Sequence, residues 1–80
     1  MNSSGALSLD HLKPGQSGTI LALNADAELY HRLAALGVRV GKRVKLLRRA
    51  RFSGPLHIRV GTTDLMLRIT EACCIRVQPA

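Results

Sequence analysis

Three kinds of side chain in this 80-residue sequence could do chemistry: paired thiols, histidines near carboxylates, and a dense run of cations. Glu28-Leu29-Tyr30-His31 has the Glu-x-x-His spacing that supplies ligands to di-iron helical bundles, where four facing helices complete the site. Only one helix is expected here, so the spacing has no partners. Cys73 and Cys74 are adjacent; on a strand their sulfurs would point to opposite faces, unlike the spaced pairs that close a zinc tetrahedron. His11, beside Asp10, and His57 are scattered through the chain. Core thiols and surface histidines explain these residues better than a native metal site, so no metal ligand is assigned. Direct iron binding through His and Cys side chains is the weakest functional reading. Ser8, Ser17 and Ser53 fall in tails or turns without an activating neighbour, and no glycine loop ahead of a helix could cradle a phosphate. A chain this short also lacks walls to exclude water from a reaction. The expectation is a protein that is not an enzyme and needs no cofactor.

Charge is the strongest signal. Lys42, Arg43, Lys45, Arg48, Arg49 and Arg51 lie close together with no acid among them, and the whole chain carries a net charge of +7. On a strand, Arg43, Lys45, Arg49 and Arg51 are expected to share the outward parity, with Arg59, Arg68 and Arg76 extending the line across neighbouring strands. Such a face suits nucleic acid, a lipid surface or an acidic protein, and partner binding is preferred over mere solubility. Readers of single-stranded nucleic acid stack bases on aromatic platforms, yet Tyr30 and Phe52 are the only aromatics and neither falls on an expected strand. A basic barrel binding RNA or DNA through phosphates alone is therefore the alternative reading.

The elements that position this run centre on residues 29–49. Leu29, Leu33 and Leu36 recur at i, i+4 and i+7, which places them on one helical face. Gly37 can take the left-handed conformation that ends a helix, and with Leu36 as C-cap, Leu33 and Val38 make the apolar contact of a Schellman ending. Gly41 closes the corner, and after it Val44 and Leu46 alternate with Arg43 and Lys45 as a strand over about 42–50. Asn24 or Asp26 is the expected helix cap, with Asp26 and Glu28 in the first turn, where acids suit the macrodipole.

Around that corner the chain reads as short strands. Lys13-Pro14-Gly15-Gln16 has type II turn chemistry, and residues 18–23 form strand one. Phe52-Ser53-Gly54-Pro55 marks a loop. Leu56, Ile58 and Val60, then Leu65, Leu67 and Ile69, make a hairpin across a Gly61-Thr62 type II′ turn. Thr70 is expected to cap a single helical turn, and Ile75 and Val77 to form the closing strand. The result is mainly β: a small, partly open barrel of about five strands with one short α-helix between strands one and two. With so few aromatics its core must be aliphatic. Residues 1–6 are expected to be a disordered tail, leaving one domain over 7–78. No stretch reaches the ~18 apolar residues of a membrane span, no signal peptide is visible, and two adjacent cysteines make no disulfide framework. A reduced, cytoplasmic protein is expected.

The order of these motifs is similar to that of a known family. Leu9-x-x-Leu12-x-Pro14-Gly15, Gly18-x-Ile20, Arg32-Leu33-x-x-Leu36-Gly37-Val38-x-x-Gly41, Gly54-Pro55-Leu56, Leu67-Arg68 and Glu71-Ala72-x-x-Ile75-x-Val77 together resemble the FeoA family, ferrous iron transport protein A, over about residues 7–78. The resemblance implies an SH3-like barrel. It also implies a cytosolic accessory protein of ferrous iron uptake, acting by protein–protein contact with a large membrane iron transporter that carries a GTP-binding domain. The chain departs from the family where Val40 and Arg51 stand at positions that often hold proline. The contact surface expected here has two parts. One is the helix corner, with Leu33, Leu36, Gly37, Val38 and Gly41 setting its shape and Arg32 and Arg39 pointing outward. The other is the basic strand, Arg43, Lys45, Arg49 and Arg51.

Overall fold

The computed structural model describes residues 5–52 and 54–80. Residues 1–4 of the expected tail, and Ser53 of the expected loop, lie outside the described residues. Six strands form one antiparallel sheet: β1 (Leu7–Ser8), β2 (Ser17–Leu23), β3 (Arg43–Arg49), β4 (Leu56–Val60), β5 (Thr63–Leu67) and β6 (Ile75–Pro79). Their order is β1-β6-β2-β3-β4-β5, and among the described residues no ladder joins the edge strands β1 and β5, so the sheet is a partly open barrel. The sixth strand is β1, whose two residues pair with Val77 and Arg76 and are too few to show alternation in sequence. A 3-10 turn, Leu9–His11, follows β1 and brings Leu9 and Leu12 into the core.

Alternation of apolar and polar residues fixes which face of each strand turns inward. Val44 and Leu46 of β3 stand opposite Val60 and Ile58 of β4, and all four are buried. Leu56 and Ile58 in turn face Leu67 and Leu65 of β5. The buried set is wholly aliphatic, as the composition requires, and no polar or charged residue is fully buried among the described residues.

Helix α1 (Ala27–Ala35) begins at Asp26, whose Oδ1 accepts from the Leu29 N–H at 2.8 Å. It ends as the spacing predicts. The Val38 N–H donates to Leu33 O at 2.9 Å and the Gly37 N–H to Ala34 O at 3.0 Å, while Gly37 has φ +93°. This is the Schellman pair of bonds, and Leu33 and Val38 are both fully buried beneath it. A type II turn follows: Lys42 N–H donates to Arg39 O at 3.1 Å with Gly41 at φ +93°, and Gly41 N–H donates to Ile20 O at 2.8 Å. The corner is thereby tied to β2 before β3 begins.

One departure from expectation is at the end of β5. β5 stops at Leu67, and Ile69 opens the single-turn helix α2 (Ile69–Ala72) instead of ending the strand. The cap is Arg68, not Thr70, because the Glu71 carboxylate accepts from the Arg68 N–H at 2.9 Å, one half of a capping box.

Candidate partner-binding surface

The basic strand does not present the line that simple alternation predicts. Leu46 pairs with Ile58 but Arg48 pairs with His57, so Leu47 is an extra residue, a β-bulge, and the parity reverses beyond it. Arg48 takes the outer position, and Arg49 stands opposite the buried Leu56, on the core side of the sheet. The Arg49 guanidinium reaches the 3-10 turn, donating to Asp10 O and, at 3.1 Å, to Leu12 O. The outward parity expected for Arg49 is therefore wrong. The outer cations of β3 are Arg43, Lys45 and Arg48, and Arg51 is exposed in the turn beyond.

Other cations expected to extend the line are engaged elsewhere. Arg59 clamps Asp64 across the β4–β5 hairpin, Nε to Oδ1 at 2.6 Å and a terminal nitrogen to Oδ2 at 3.2 Å. Hydrogen bonding from Arg59 holds the Asp64 carboxyl below its usual range, against the opposing pull of desolvation, and the same bond raises Arg59. His57 Nε2 lies 3.4 Å from Asp64 Oδ2. Arg76 donates to Ala6 O at 3.4 Å.

At the helix corner, Arg39 is exposed and folds back so that its Nε donates to Ala34 O at 3.4 Å, where a cation suits the carbonyl end of the helix. Arg32 forms an ion pair with Glu71 of α2. Leu36 leaves the expected apolar face: as C-cap it lies where the chain turns away, and it is 41% exposed while Leu33 is fully buried. Together with Pro55, Met66 and Leu67 it lines a shallow groove of about 420 Å³, whose lining also includes Arg32, Arg68 and Glu71. Met66, 56% exposed, is the residue that sequence reasoning passed over. Its signal was an apolar side chain at an outward position of a strand, between Leu65 and Leu67.

The thiols also sit differently from expectation. Cys73 caps the C-terminal end of α2 and Cys74 follows it in the turn, so neither lies on a strand. Both sulfurs approach one carbonyl, Thr70 O, at 3.2 and 3.5 Å. Partial burial pushes the Cys74 thiol up, and the neighbouring Cys73 adds to the effect. Glu28 and His31 lie on the exposed side of α1, His31 edge-on to Tyr30 with ring centroids 6.1 Å apart. Among the described residues no three His, Cys, Asp or Glu side chains converge, and no helix is long and apolar enough to cross a membrane.

Known proteins share both sequence and architecture with this chain. A Campylobacter jejuni protein assigned as an Fe(2+) transport protein A is 32% identical over 71 residues, which span 89% of this chain and 96% of that protein. The solution structure of a FeoA protein from Chlorobium tepidum superposes with a TM-score of 0.85 at 29% identity, covering 90% of this chain and 69% of the other. The crystal structure of FeoA from Stenotrophomonas maltophilia, solved with zinc and described as a procaryotic SH3 domain protein, gives 0.76 at 27% identity, covering 92% and 95%. The barrel is thus SH3-like. The FeoA domain model matches residues 7–79, and the chain belongs to the FeoA family of ferrous iron transport accessory proteins.

Proposed function

We propose that this protein is a non-catalytic, cytosolic accessory factor of ferrous iron uptake that works by contact with the cytosolic GTP-binding part of a large membrane iron transporter. The observation that carries this reading is the groove between the end of α1 and the β5–α2 junction. Leu36 and Met66 expose apolar surface in it, and the Arg32–Glu71 ion pair also lines it. Exposed apolar side chains beside charged ones are what protein–protein contacts are built from. Leu33, Gly37, Val38 and Gly41 hold the corner that positions Leu36, and Arg39, Arg43 and Lys45 lie exposed at and beyond that corner, where they steer an acidic partner. Arg49 is removed from the proposed contact because its guanidinium is committed to backbone carbonyls.

The test is binding to the transporter's isolated cytosolic GTP-binding domain at physiological salt with excess RNA present. Leu36→Asp should weaken binding about tenfold or more, as an interface centre does when truncated or charged. Arg43→Glu/Lys45→Glu should act mainly by slowing association. Loss of wild-type binding to the RNA competitor would favour the phosphate-binding barrel instead.

A further inference from the structure

The turn between β3 and β4 carries a feature that the transporter contact leaves unused. Phe52 is 97% exposed, and it is the one non-glycine residue with positive φ, +57°, among the described residues. A bulky side chain in left-handed backbone is sterically unfavourable, and a turn selected only to reverse the chain would place Gly or Asn there. The turn is nonetheless closed by hydrogen bonds, Ala50 N–H to Pro55 O and Gly54 N–H to Arg51 O, both 3.1 Å. An aromatic ring is thus held in water at the end of the barrel where Arg48 and Arg51 are also exposed. Lys45 follows Arg48 along the outer face of β3. None of these three cations has an acidic side chain within ion-pair distance among the described residues.

A single protruding ring flanked by uncompensated cations fits a partner that needs no complementary pocket. A protein partner would have to supply one, and single-stranded nucleic acid is bound by rows of aromatics rather than one. We propose that the β3–β4 turn docks on an anionic phospholipid surface, Phe52 entering the boundary between headgroups and acyl chains while Arg48 and Arg51 pair with acidic headgroups. Phe is among the apolar side chains that interfacial segments bury at that boundary, and anionic lipid attracts each nearby cation additively. One ring and two or three cations give weak, reversible binding, which raises the local concentration of the protein at the membrane without anchoring it. The inference does not rest on the transporter contact, since lipid alone is the ligand.

The experiment is co-sedimentation of the full chain with vesicles of phosphatidylcholine alone or with about one third phosphatidylserine, at about 0.15 M salt. Binding should require the anionic lipid. It should fall about tenfold with Phe52→Ala and at least as far with Arg48→Glu/Arg51→Glu. The sequence has no tryptophan, so Phe52→Trp gives a single tryptophan emission that should shift to the blue on anionic vesicles. Circular dichroism checks that each exposed-site variant stays folded. Absence of binding to anionic vesicles, binding indifferent to Phe52, or no blue shift would overturn the proposal. Stronger binding to added RNA that strips the protein from vesicles would also overturn it, in favour of phosphate contact with nucleic acid.

Discussion

Arg49 and Leu56 face each other across the β3–β4 ladder, an arginine directly opposite a fully buried leucine. The side chain escapes burial by running to the 3-10 turn, where it donates to the backbone carbonyls of Asp10 and Leu12. It therefore staples the N-terminal segment to the middle of the sheet. Hydrogen bonds to charged groups contribute about 1.5–3 kcal/mol when well formed, and partial exposure lowers that figure. Arg49→Ala should cost about 1–2 kcal/mol in urea unfolding, with Arg49→Lys recovering only part because one ammonium cannot match a planar fork. Arg48→Ala, on the outer face one residue earlier, should stay within about 0.5 kcal/mol of wild type. Equal effects from the two substitutions would remove the staple.

The contrast between Arg48 and Arg49 explains what the sequence discloses and what it hides. The helix corner was legible because its determinants are local: Leu33, Gly37 and Val38 sit within six residues and each acts on its neighbours. The β4–β5 hairpin was legible for the same reason, with Gly61 at φ +63° between two alternating runs. The bulge at Leu47 is not local. It arises from how β3 registers against β4, and one extra residue reverses every side chain beyond it. Leu36 and Met66 were hidden by a similar dependence. Leu36 is the expected cap, but helical periodicity also puts it on the buried stripe and does not tell how far its side chain turns out, nor can alternation tell that α1 ends near Met66. The start of α2 was hidden because Ile69 reads equally well as the last residue of a strand or the first of a helix.

Val40 stands at the second position of the turn that closes on Gly41, where a proline would already have the required φ. Its side chain is 59% exposed, and its N–H makes no backbone hydrogen bond among the described residues. Val40→Pro should raise stability by about 0.4–1 kcal/mol by restricting the unfolded chain. Chemical denaturation would show a higher midpoint at unchanged slope. A lower midpoint would mean that this turn is not of type II.

Acid should loosen the β4–β5 hairpin through Asp64. Its carboxyl is held below the usual range chiefly by the hydrogen bond from Arg59, so its favourable contribution is complete above the ordinary aspartate pKa and disappears as pH falls through the lower, folded value. Arg59 stays charged throughout this window. Wild-type stability should therefore fall more steeply than that of Asp64→Asn between about pH 5 and about pH 2, with the gap between them narrowing as acid is added. Both groups are solvent-exposed, so the difference should be small and reduced by salt. Unfolding midpoints of the two proteins across that range provide the check, and parallel curves would show that the pair is electrostatically silent.

Gly37 allows the corner argument to be tested without touching any surface cation. A β-carbon built at this position meets nothing within 4 Å, so space is not the obstacle; the backbone is, at φ +93°. Gly37→Ala should cost about 1–2 kcal/mol from left-handed strain alone, and Gly37→Val should cost more because branching at Cβ restricts the same region further. Gly15, at φ +89° with equally open surroundings, provides an internal comparison in a turn that does not line the groove. Gly15→Ala should therefore lower stability without altering transporter binding once the protein is folded. Gly37→Ala should do both, because the residue before it, Leu36, depends on the corner for its position at the groove. Measuring unfolding and binding on the same two variants separates fold from site. If Gly37→Val proved as stable as the wild type, neither the Schellman ending nor the placement of Leu36 could depend on this glycine.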